Sequence, residues 1–315
     1  MTSDRGIVLV TGANGFVGRN LEPALADDGW TVRCAVRRLS SNNNEILIDS
    51  IGAQTDWSTA MTGGIGAVVH LAGRAHQSND KKATDLYQAI NADGTLHLAR
   101  SAASSGVRQF VFVSTALVHG RTSDGRAPFR ETDILMPQGP YAVSKVSAEA
   151  GLKAIAQETN MSITVVRPPL VYGAGARGNF ARLATAVQMG IPLPFSAIHN
   201  QRAFISVQNL SSFIASVLSK PAGKFESYLV ADSEQISTPE FVRRLAAAAG
   251  KRPRLFPVSP SWLMTVLCWG GWREASSSLI GSFELDVSKA LATGWQPKLS
   301  LDIGLQHALC HFERL

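Results

Sequence analysis

The sequence predicts an α/β protein built on a doubly wound parallel sheet. Short runs rich in β-branched apolar residues alternate with longer segments of helical spacing, and a glycine-rich loop directly follows the first apolar run. Such alternation is typical of parallel strands joined by crossover helices. After about Pro168 the rhythm breaks into Gly- and Pro-rich turns and shorter mixed elements. We therefore expect a second, smaller lobe in the C-terminal half.

Five apolar runs predict parallel strands that are buried on both faces. They are IVLVT (7–11), TVRCAV (31–36), AVVHLA (67–72), FVFVST (110–115) and ITVVRP (163–168). The segments between most of them have helical spacing, whereas SSNNN (40–44) and residues 121–133 indicate loops. The expected first domain covers residues 1–168, with a return to the sheet within 203–230 that begins near AFISVQNL (203–210). Residues 169–202 and 231–315 then form the second lobe.

The composition is that of an ordinary globular protein, with 45% hydrophobic and 17% charged residues. The net charge is +6, but the 30 Lys and Arg residues are scattered, which argues against a nucleic-acid partner and favours a solvated basic surface. Cys34, Cys268 and Cys310 lie far apart without metal-ligand spacing, so we expect free thiols and no metal site. Without a secretory leader or targeting segment, the expected location is the cytoplasm.

One apolar stretch, SWLMTVLCWGGW (261–272), needs separate consideration. A membrane-spanning helix requires about 20 apolar residues, and this stretch is too short. It could form an interfacial helix or a buried helix of the second lobe. We expect the buried helix and no membrane span.

A glycine-rich loop, VTGANGFVGRN, joins the first predicted strand to the first predicted helix. Gly12, Gly15 and Gly18 have the spacing G-x-x-G-x-x-G. The first glycine permits a tight turn, the second lets the backbone approach a pyrophosphate, and the third allows close packing of helix and strand. A glycine triplet alone could be a plain strand–helix turn, but its position between a strand and a helix predicts a dinucleotide site.

Two arginines follow the second predicted strand, in AVRRLS (35–40). An NAD-binding fold usually has a carboxylate there, which binds ribose hydroxyls and repels a 2′-phosphate. Arg37 and Arg38 should instead attract a 2′-phosphate, because a guanidinium binds phosphate through a planar fork of donors. Unless they simply start a polar loop, they predict NADPH rather than NADH or NAD as cofactor.

Tyr141 and Lys145 lie four residues apart in GPYAVSKVSAE, near the start of a predicted helix. Both side chains therefore project from one helix face. Such a pair is common on exposed helices, but it also suits a phenol that exchanges a proton, since an ammonium one turn away lowers the phenol pKa. Ser114 and Thr115 end the fourth predicted strand, where either hydroxyl could hold the same substrate oxygen.

Five motifs in order along the chain resemble those of the extended short-chain dehydrogenase/reductases that act on nucleotide sugars. They are GANGFVG, VVHLAG, VFVSTALVHG, PYAVSK and DVSKALATGWQPKLSL. The resemblance runs essentially end to end and implies a Rossmann lobe and a smaller C-terminal nucleotide-sugar-binding lobe. It also implies a catalytic set of Thr115, Tyr141 and Lys145. Thr115, and not Ser114, supplies the hydroxyl that holds the substrate oxygen, because its distance from the HG at 119–120 matches the spacing in the family.

The same resemblance implies the cofactor contacts. Tyr141 acts as acid or base, Lys145 holds the nicotinamide ribose, Ile51 flanks the adenine, and Asn91 in INADGT matches an asparagine beside the cofactor. The full expected set is Gly12, Gly15, Phe16, Val17, Gly18, Arg37, Arg38, Ile51, Leu71, Ala72, Gly73, Asn91, Tyr141, Lys145 and Pro168.

Within the family, VVHLAGRAH, RPPLVYGAGARGNF and IPLPFSAIHNQRAFISVQNL most resemble bacterial reductases of UDP-2-acetamido-2,6-dideoxy-hexos-4-ulose. The resemblance implies an enzyme of surface-polysaccharide synthesis whose partner is a UDP-sugar, bound by Thr115 and, at its phosphates, by Asn179 and Arg202. It also implies a homodimer. Two alternatives remain open: a UDP-sugar 4-epimerase with tightly bound NAD, and a non-catalytic NADP-binding sensor.

Three features depart from the family pattern. Ser50 precedes Ile51 where an acidic residue is frequent, and His119 replaces the usual tyrosine. Ser276 stands where an arginine that contacts the diphosphate is expected, and Arg273 is a possible substitute.

Overall fold

The structure, a computed structural model, describes residues 5–40, 42–75, 81–220, 223–269 and 279–310. The chain divides into two compact units. The first comprises Met1–Val118, Leu135–Arg167 and Ser211–Tyr228, and the second comprises His119–Ile134, Pro168–Leu210 and Leu229–Leu315.

The strands are β1 (Ile7–Thr11), β2 (Thr31–Val36), β3 (Glu45–Leu47), β4 (Ile65–His70), β5 (Gln109–Val113), β6 (Ser162–Arg167), β7 (Leu170–Tyr172), β8 (Phe204–Ser206) and β9 (Phe225–Leu229). Seven of them form one sheet in the order β3-β2-β1-β4-β5-β6-β9, in which the neighbours from β3 to β6 pair in parallel. The predicted doubly wound parallel sheet is confirmed.

The helices are α1 (Phe16–Asp27), α2 (Lys81–Tyr87), α3 (Gly94–Ser104), α4 (Pro140–Glu158), α5 (Asn179–Gln188), α6 (Val207–Ser219), α7 (Thr238–Ala248), α8 (Pro260–Trp269), α9 (Ser288–Ala292) and α10 (Leu301–Leu309). A π-helical turn (Gln88–Asp93) joins α2 to α3, and a 3₁₀ turn (Ala116–His119) follows β5.

Successive side chains of the central strands are buried on opposite faces of the sheet, as their continuous apolar runs require. In β5, Phe110 and Phe112 belong to the core formed with α3 and α4, whereas the buried Val111 between them faces the other way. That core includes Leu98 of α3 and Leu152 of α4. The two helices therefore cover one face of the sheet.

Two strands of the sheet were not predicted. β3 is three residues long and only half-buried, so it lacks an apolar run. β9 is the strand through which the chain returns to the sheet, beside β6. This return lies within the expected range of 203–230 but not near 203–210, where Phe204–Ser206 pair with β7 in a separate two-stranded sheet.

In the second unit an aromatic cluster packs around this two-stranded sheet. The rings of Phe204 and Phe241 stack with centroids 4.1 Å apart, and Phe241 meets Tyr172 edge-on at 5.9 Å. The Tyr172 hydroxyl donates to Asp232 at 2.6 Å, and Asp232 also accepts from Asn209 at 2.6 Å. The cluster thus fixes β7, β8 and α7 together.

The apolar stretch at 261–272 is helical up to Trp269, as α8, and its last residues lie outside the described part of the chain. Leu263 is buried, but Trp262 is 67% and Trp269 91% exposed. Among the side chains of 261–269 whose burial is described, Leu263 is the one that is buried, so the expectation of a buried helix is wrong for this part of the stretch. Among the described residues, no helix is both long enough and apolar enough to cross a bilayer.

Candidate active site

The glycine loop lies at the carboxyl end of β1, where the strand order reverses between β1 and β4. Gly12 has a φ of +73°, and a Cβ there would be 2.8 Å from the backbone nitrogen of Ala72, two residues after β4. A Cβ on Gly18 would collide with the carbonyl oxygens of Gly12 and Ala13. The positive φ of Gly12 fits the tight turn expected there, and both close approaches leave no room for a side chain.

The loop ends at the N-terminus of α1. Gly15 is the exposed residue before the helix, Phe16 and Val17 begin it, and no side chain caps its free N–H groups. Uncapped N–H groups and the helix dipole favour an anion at this end. A glycine loop without side chains and an uncapped helix N-terminus fit the diphosphate of a dinucleotide.

Arg37 and Arg38 are both exposed and follow β2 directly. Thr11, the last residue of β1, lies beside Ala35 of β2, so Arg37 comes two residues beyond the level at which β1 ends. Within the described residues, no carboxylate forms an ion pair with either guanidinium. Their charges are thus available to an anionic ligand.

The segment after β4 is held by Asn91, which lies in the π-helical turn and is fully buried. Its Oδ1 accepts from the backbone nitrogen of Arg74 at 2.7 Å, and its Nδ2 donates to the Arg74 carbonyl at 3.0 Å and to Ser144 Oγ at 3.1 Å. Gly73 packs against the amide, since a Cβ there would be 3.0 Å from Oδ1. The side chain of Asn91 therefore positions the Leu71–Arg74 segment and joins it to α4.

A second buried polar group, His70, links the ends of β1 and β4 to α3. Its Nδ1 lies 2.6 Å from Thr11 Oγ1 and its Nε2 lies 2.9 Å from Thr95 Oγ1. Complete burial, with a smaller contribution from Lys145, lowers the His70 pKa to about 3. The imidazole is therefore neutral, and its two hydrogen bonds join β1 and β4 to α3. Sequence reasoning missed it, although a histidine in a buried strand was a signal.

Tyr141 and Lys145 project from the first turns of α4. The Tyr141 ring meets Tyr87 edge-on with centroids 6.1 Å apart, and burial raises the Tyr141 pKa to about 12. Lys145 Nζ donates to the Val113 carbonyl at 2.9 Å and lies 4.4 Å from the centroid of the Phe112 ring. Burial lowers the Lys145 pKa to about 8, and Glu149 opposes this shift.

A buried ion pair lies one helical turn beyond Lys145. Arg167, the last residue of β6, donates from Nη2 to Glu149 Oε2 at 2.6 Å and from Nε to both carboxylate oxygens at 3.2 Å. The side chains are only 6% and 4% exposed. Sequence reasoning missed this pair, although Glu149 continues the spacing of Tyr141 and Lys145 along α4.

The two candidate hydroxyls differ in their surroundings. Thr115 Oγ1 accepts from the backbone nitrogen of Leu117 at 3.2 Å, which orients the hydroxyl and leaves its proton to donate. Ser114 Oγ is buried and has no hydrogen-bond partner within the described part of the chain. Both residues follow β5 and belong to the same unit as Tyr141 and Lys145.

In the second unit, Asn179 and Arg202 line one pocket, whose apolar wall includes Leu170, Phe180, Phe204 and Phe241. Asn179 is exposed and begins α5 after Gly178, and no side chain caps the N–H groups of that helix. Arg202 is buried, donates to the Gly281 carbonyl at 2.6 Å, and lies over the Phe283 ring. Burial lowers its pKa to about 10, so the guanidinium stays charged.

The remaining predicted positions are also located. Ile51 is half-buried against Gly94, Pro168 is buried directly after β6, and His119 is buried against Phe129 with ring centroids 5.5 Å apart. Arg273 and Ser276 lie outside the described residues.

The profile of the NAD dependent epimerase/dehydratase family matches residues 8–231, which is more than two thirds of the chain. The chain belongs to this family. The match covers the glycine loop, the segment after β4, Thr115, and the Tyr141–Lys145 pair. The predicted membership of the extended short-chain dehydrogenase/reductase enzymes, which use a nicotinamide cofactor, is confirmed.

Relatives within the family include both epimerases and reductases. UDP-glucose 4-epimerase of Vibrio cholerae is 35% identical over 97% of this chain and 96% of its own length. GDP-6-deoxy-D-mannose reductase of Pseudomonas aeruginosa is 27% identical over 77% of this chain and 80% of its own length. The structure of UDP-glucose 4-epimerase from Thermus thermophilus with NAD has a TM-score of 0.79 at 24% identity, over 98% of this chain and 99% of that chain, and shows a shared fold.

Proposed function

We propose that this protein is an NADPH-dependent reductase of a nucleotide-linked 4-keto-6-deoxy sugar, UDP-4-keto-6-deoxy-GlcNAc, which it converts to UDP-N-acetylquinovosamine or its 4-epimer for surface-polysaccharide synthesis. The observation that supports this most directly is the pair of exposed arginines, Arg37 and Arg38, directly after β2. A net reductase must exchange its spent cofactor, and the 2′-phosphate of NADPH is the anion that two guanidinium groups at this position would bind.

The protonation state of Tyr141 supports the same direction of reaction. Because burial raises its pKa to about 12, the phenol holds its proton at neutral pH and is suited to give it to the oxygen of a reduced ketone. Thr115 would hold that oxygen with its hydroxyl proton, since its oxygen lone pair already accepts from Leu117. When bound, NADPH supplies the hydride that the keto carbon receives.

Lys145 and Asn91 would organise the cofactor side. A Lys145 pKa near 8 leaves the ammonium largely charged at neutral pH, so it can donate to a ribose hydroxyl and favour negative charge on a neighbouring oxygen. Asn91 fixes the backbone from Leu71 to Arg74, against which Gly12 packs. The glycine loop and the α1 terminus would bind the diphosphate, and Ile51 would flank the adenine.

In the second unit, the pocket lined by Asn179 and Arg202 would bind the nucleotide of the substrate. A buried, charged guanidinium and the open N-terminus of α5 suit phosphate oxygens, whereas the apolar wall suits a flat base. The curated relative from Vibrio cholerae acts on UDP-glucose, which supports a UDP-sugar.

A second candidate function is a UDP-sugar 4-epimerase with tightly bound NAD, because the same relative is 35% identical over 97% of this chain. The two candidates differ in cofactor consumption. An epimerase regenerates its cofactor in each turnover, whereas a reductase oxidises one NADPH for each sugar.

The test mixes purified protein with UDP-4-keto-6-deoxy-GlcNAc and NADPH or NADH, and follows the nicotinamide absorbance. We expect stoichiometric oxidation that is faster with NADPH. A parallel incubation with UDP-glucose and UDP-GlcNAc measures 4-epimerisation without added cofactor. Interconversion there, with no oxidation of either nicotinamide, would establish the epimerase and overturn the reductase.

Tyr141→Phe separates both enzymes from a non-catalytic sensor. We expect turnover to fall by about 10²–10⁴-fold, the usual contribution of a general acid, with cofactor affinity retained. Turnover equal to that of the unaltered protein would refute the assigned role of Tyr141.

We also propose a homodimer formed through the outer faces of α3 and α4. The exposed Val143 on α4 is one apolar residue such an interface would cover. Sedimentation velocity would test it, and a monomer at micromolar concentration would contradict it.

A further inference from the structure

The helix α8 exposes two large aromatic side chains outside the candidate active site. Trp262 and Trp269 are 67% and 91% exposed and lie seven residues, or two turns, apart, so they share one helix face. Leu263, between them on the helix, is buried, so α8 also has a covered side. Exposed tryptophan is costly in water, and contiguous apolar surface in a folded protein commonly marks an interaction site.

A neighbouring pair of segments also exposes apolar side chains. Backbone hydrogen bonds join Leu193 to the carbonyl of Arg254 at 2.8 Å and Phe256 to the carbonyl of Leu193 at 3.1 Å. They bring the exposed Phe256 close to the segment that carries the exposed Met189 and Ile191. The chain enters α8 at Pro260, four residues after Phe256.

Charge on these segments has a single sign. Residues 179–200 and 250–269 contain no Asp or Glu. They do contain four exposed basic residues: Arg182, Lys251, Arg252 and Arg254. None of the four forms an ion pair with a carboxylate within the described part of the chain. These four basic residues, together with Met189, Ile191, Phe256, Trp262 and Trp269, are named here the basic–aromatic surface.

We propose that the basic–aromatic surface binds the headgroup region of an anionic phospholipid bilayer. Tryptophan prefers the boundary between headgroups and acyl chains, and Lys and Arg beside it are attracted to anionic lipid. A single anchor of either kind is weak, whereas the combination gives stable, reversible attachment. α8 has ten residues, about 15 Å, so it would lie in the plane of the interface and not cross the bilayer.

Electrostatics favours a bilayer over a second copy of this chain as the partner. A two-fold contact places the same patch on both sides of the interface. Here it would bring basic residues against basic residues, without a carboxylate from these segments to neutralise them. An anionic membrane supplies the complementary charge and an apolar layer at once.

The experiment is vesicle co-sedimentation of the full-length protein at low ionic strength, with phosphatidylcholine vesicles and with phosphatidylcholine–phosphatidylglycerol vesicles. We expect binding to the anionic vesicles, little binding to the zwitterionic ones, and release by added salt. Brominated acyl chains should quench tryptophan fluorescence of the bound protein. Equal binding to both vesicles, or none to either, would overturn the proposal.

Variants locate the contact. Trp262→Ser/Trp269→Ser should abolish sedimentation with anionic vesicles and remove the quenching by brominated lipid. Lys251→Gln/Arg252→Gln should weaken partitioning into anionic vesicles by about 30-fold, because each basic residue near the surface contributes about 1 kcal/mol. The matched controls, Ile134→Ala and Arg108→Gln, alter an 82%-exposed apolar residue and an exposed arginine elsewhere and should bind as the unaltered protein does.

A second measurement separates the bilayer from self-association. Sedimentation velocity over a range of concentrations should give the same oligomeric state for the unaltered protein and the double tryptophan variant. A tryptophan-dependent shift to a larger species, with no vesicle binding, would identify a second copy as the partner and overturn the proposal.

Discussion

Arg167 Nη2 lies 2.6 Å from Glu149 Oε2, and both side chains are almost completely buried between α4 and the end of β6. Glu149→Gln should therefore destabilise the protein by about 3–5 kcal/mol, because it removes the carboxylate charge that the buried Arg167 guanidinium contacts at three points. Urea unfolding, followed by circular dichroism, measures the change.

The matched control for this variant is Glu240→Gln on α7, which removes a carboxylate from the half-exposed pairs with Arg243 and Arg244. Exposed pairs contribute about 0–1 kcal/mol, so the control should unfold nearly as the unaltered protein does. Similar losses in the two variants would show that the buried pair has no special importance for the first unit.

Lys145 should make the stability of the protein rise with pH in the alkaline range. Its pKa of about 8 in the folded protein lies below the ordinary 10.5, so between these values the unfolded chain binds a proton that the folded chain does not. Below about pH 8 the lysine is charged in both states and its burial cost is fully present. Lys145→Gln should thus stabilise the protein most near neutrality, and its advantage should shrink as pH rises from ~7 to ~10.

Thermal or urea unfolding at several pH values gives this difference directly. Lys153→Gln, an exposed position two turns further along α4, serves as the control and should show no pH-dependent difference. If the Lys145→Gln advantage stays constant across the range, the lysine titrates at its ordinary value in the folded protein.

Arg37→Ala and Arg38→Ala should each weaken NADPH binding much more than NADH binding. A charge-assisted hydrogen bond contributes about 1.5–3 kcal/mol, so loss of a direct phosphate contact should reduce NADPH affinity about 10-fold or more. Fluorescence titration of the bound nicotinamide measures both affinities. Arg108→Ala controls for a general loss of positive charge, and equal losses for the two cofactors would remove the phosphate assignment.

Gly12→Ala should reduce both stability and cofactor affinity. Its φ of +73° disfavours any other residue, and the added methyl would lie 2.8 Å from the backbone nitrogen of Ala72. Overpacking of this kind costs about 1–3 kcal/mol beyond the backbone term. Gly125→Ala has the same φ of +73° but open space around the Cβ, so it isolates the backbone cost. The prediction fails if the two variants lose equal stability.

Much of the first unit was predictable because its strands are buried on both faces. The five predicted runs match β1, β2, β4, β5 and β6 to within a few residues. β3 and β9 were not predicted as strands, since both are short and include polar residues that interrupt any continuous apolar pattern. The helical form of residues 261–269 was predictable from composition, but their exposure was not, because an apolar run has the same sequence pattern whether protein or solvent surrounds it.

The candidate site was predictable where its chemistry depends on spacing along the chain. Gly12 and Gly18 have the close approaches that their spacing implies, and Tyr141 and Lys145 lie on the same helix. The supporting network was not predictable, because His70 meets Thr95 and Asn91 meets Arg74 and Ser144 only after distant segments have folded together. Sequence separation hides such partners, and no local pattern reveals them.

The position of β9 has a consequence for synthesis on the ribosome. β9 pairs beside β6, yet more than fifty residues separate them along the chain, and most of those belong to the second unit. A nascent chain that has just completed β6 therefore exposes an open sheet edge while the ribosome adds residues 168–224. During that interval the edge can pair with another nascent chain, so misassembly is expected to begin at β6, and slow translation of this stretch would lower the yield of native protein.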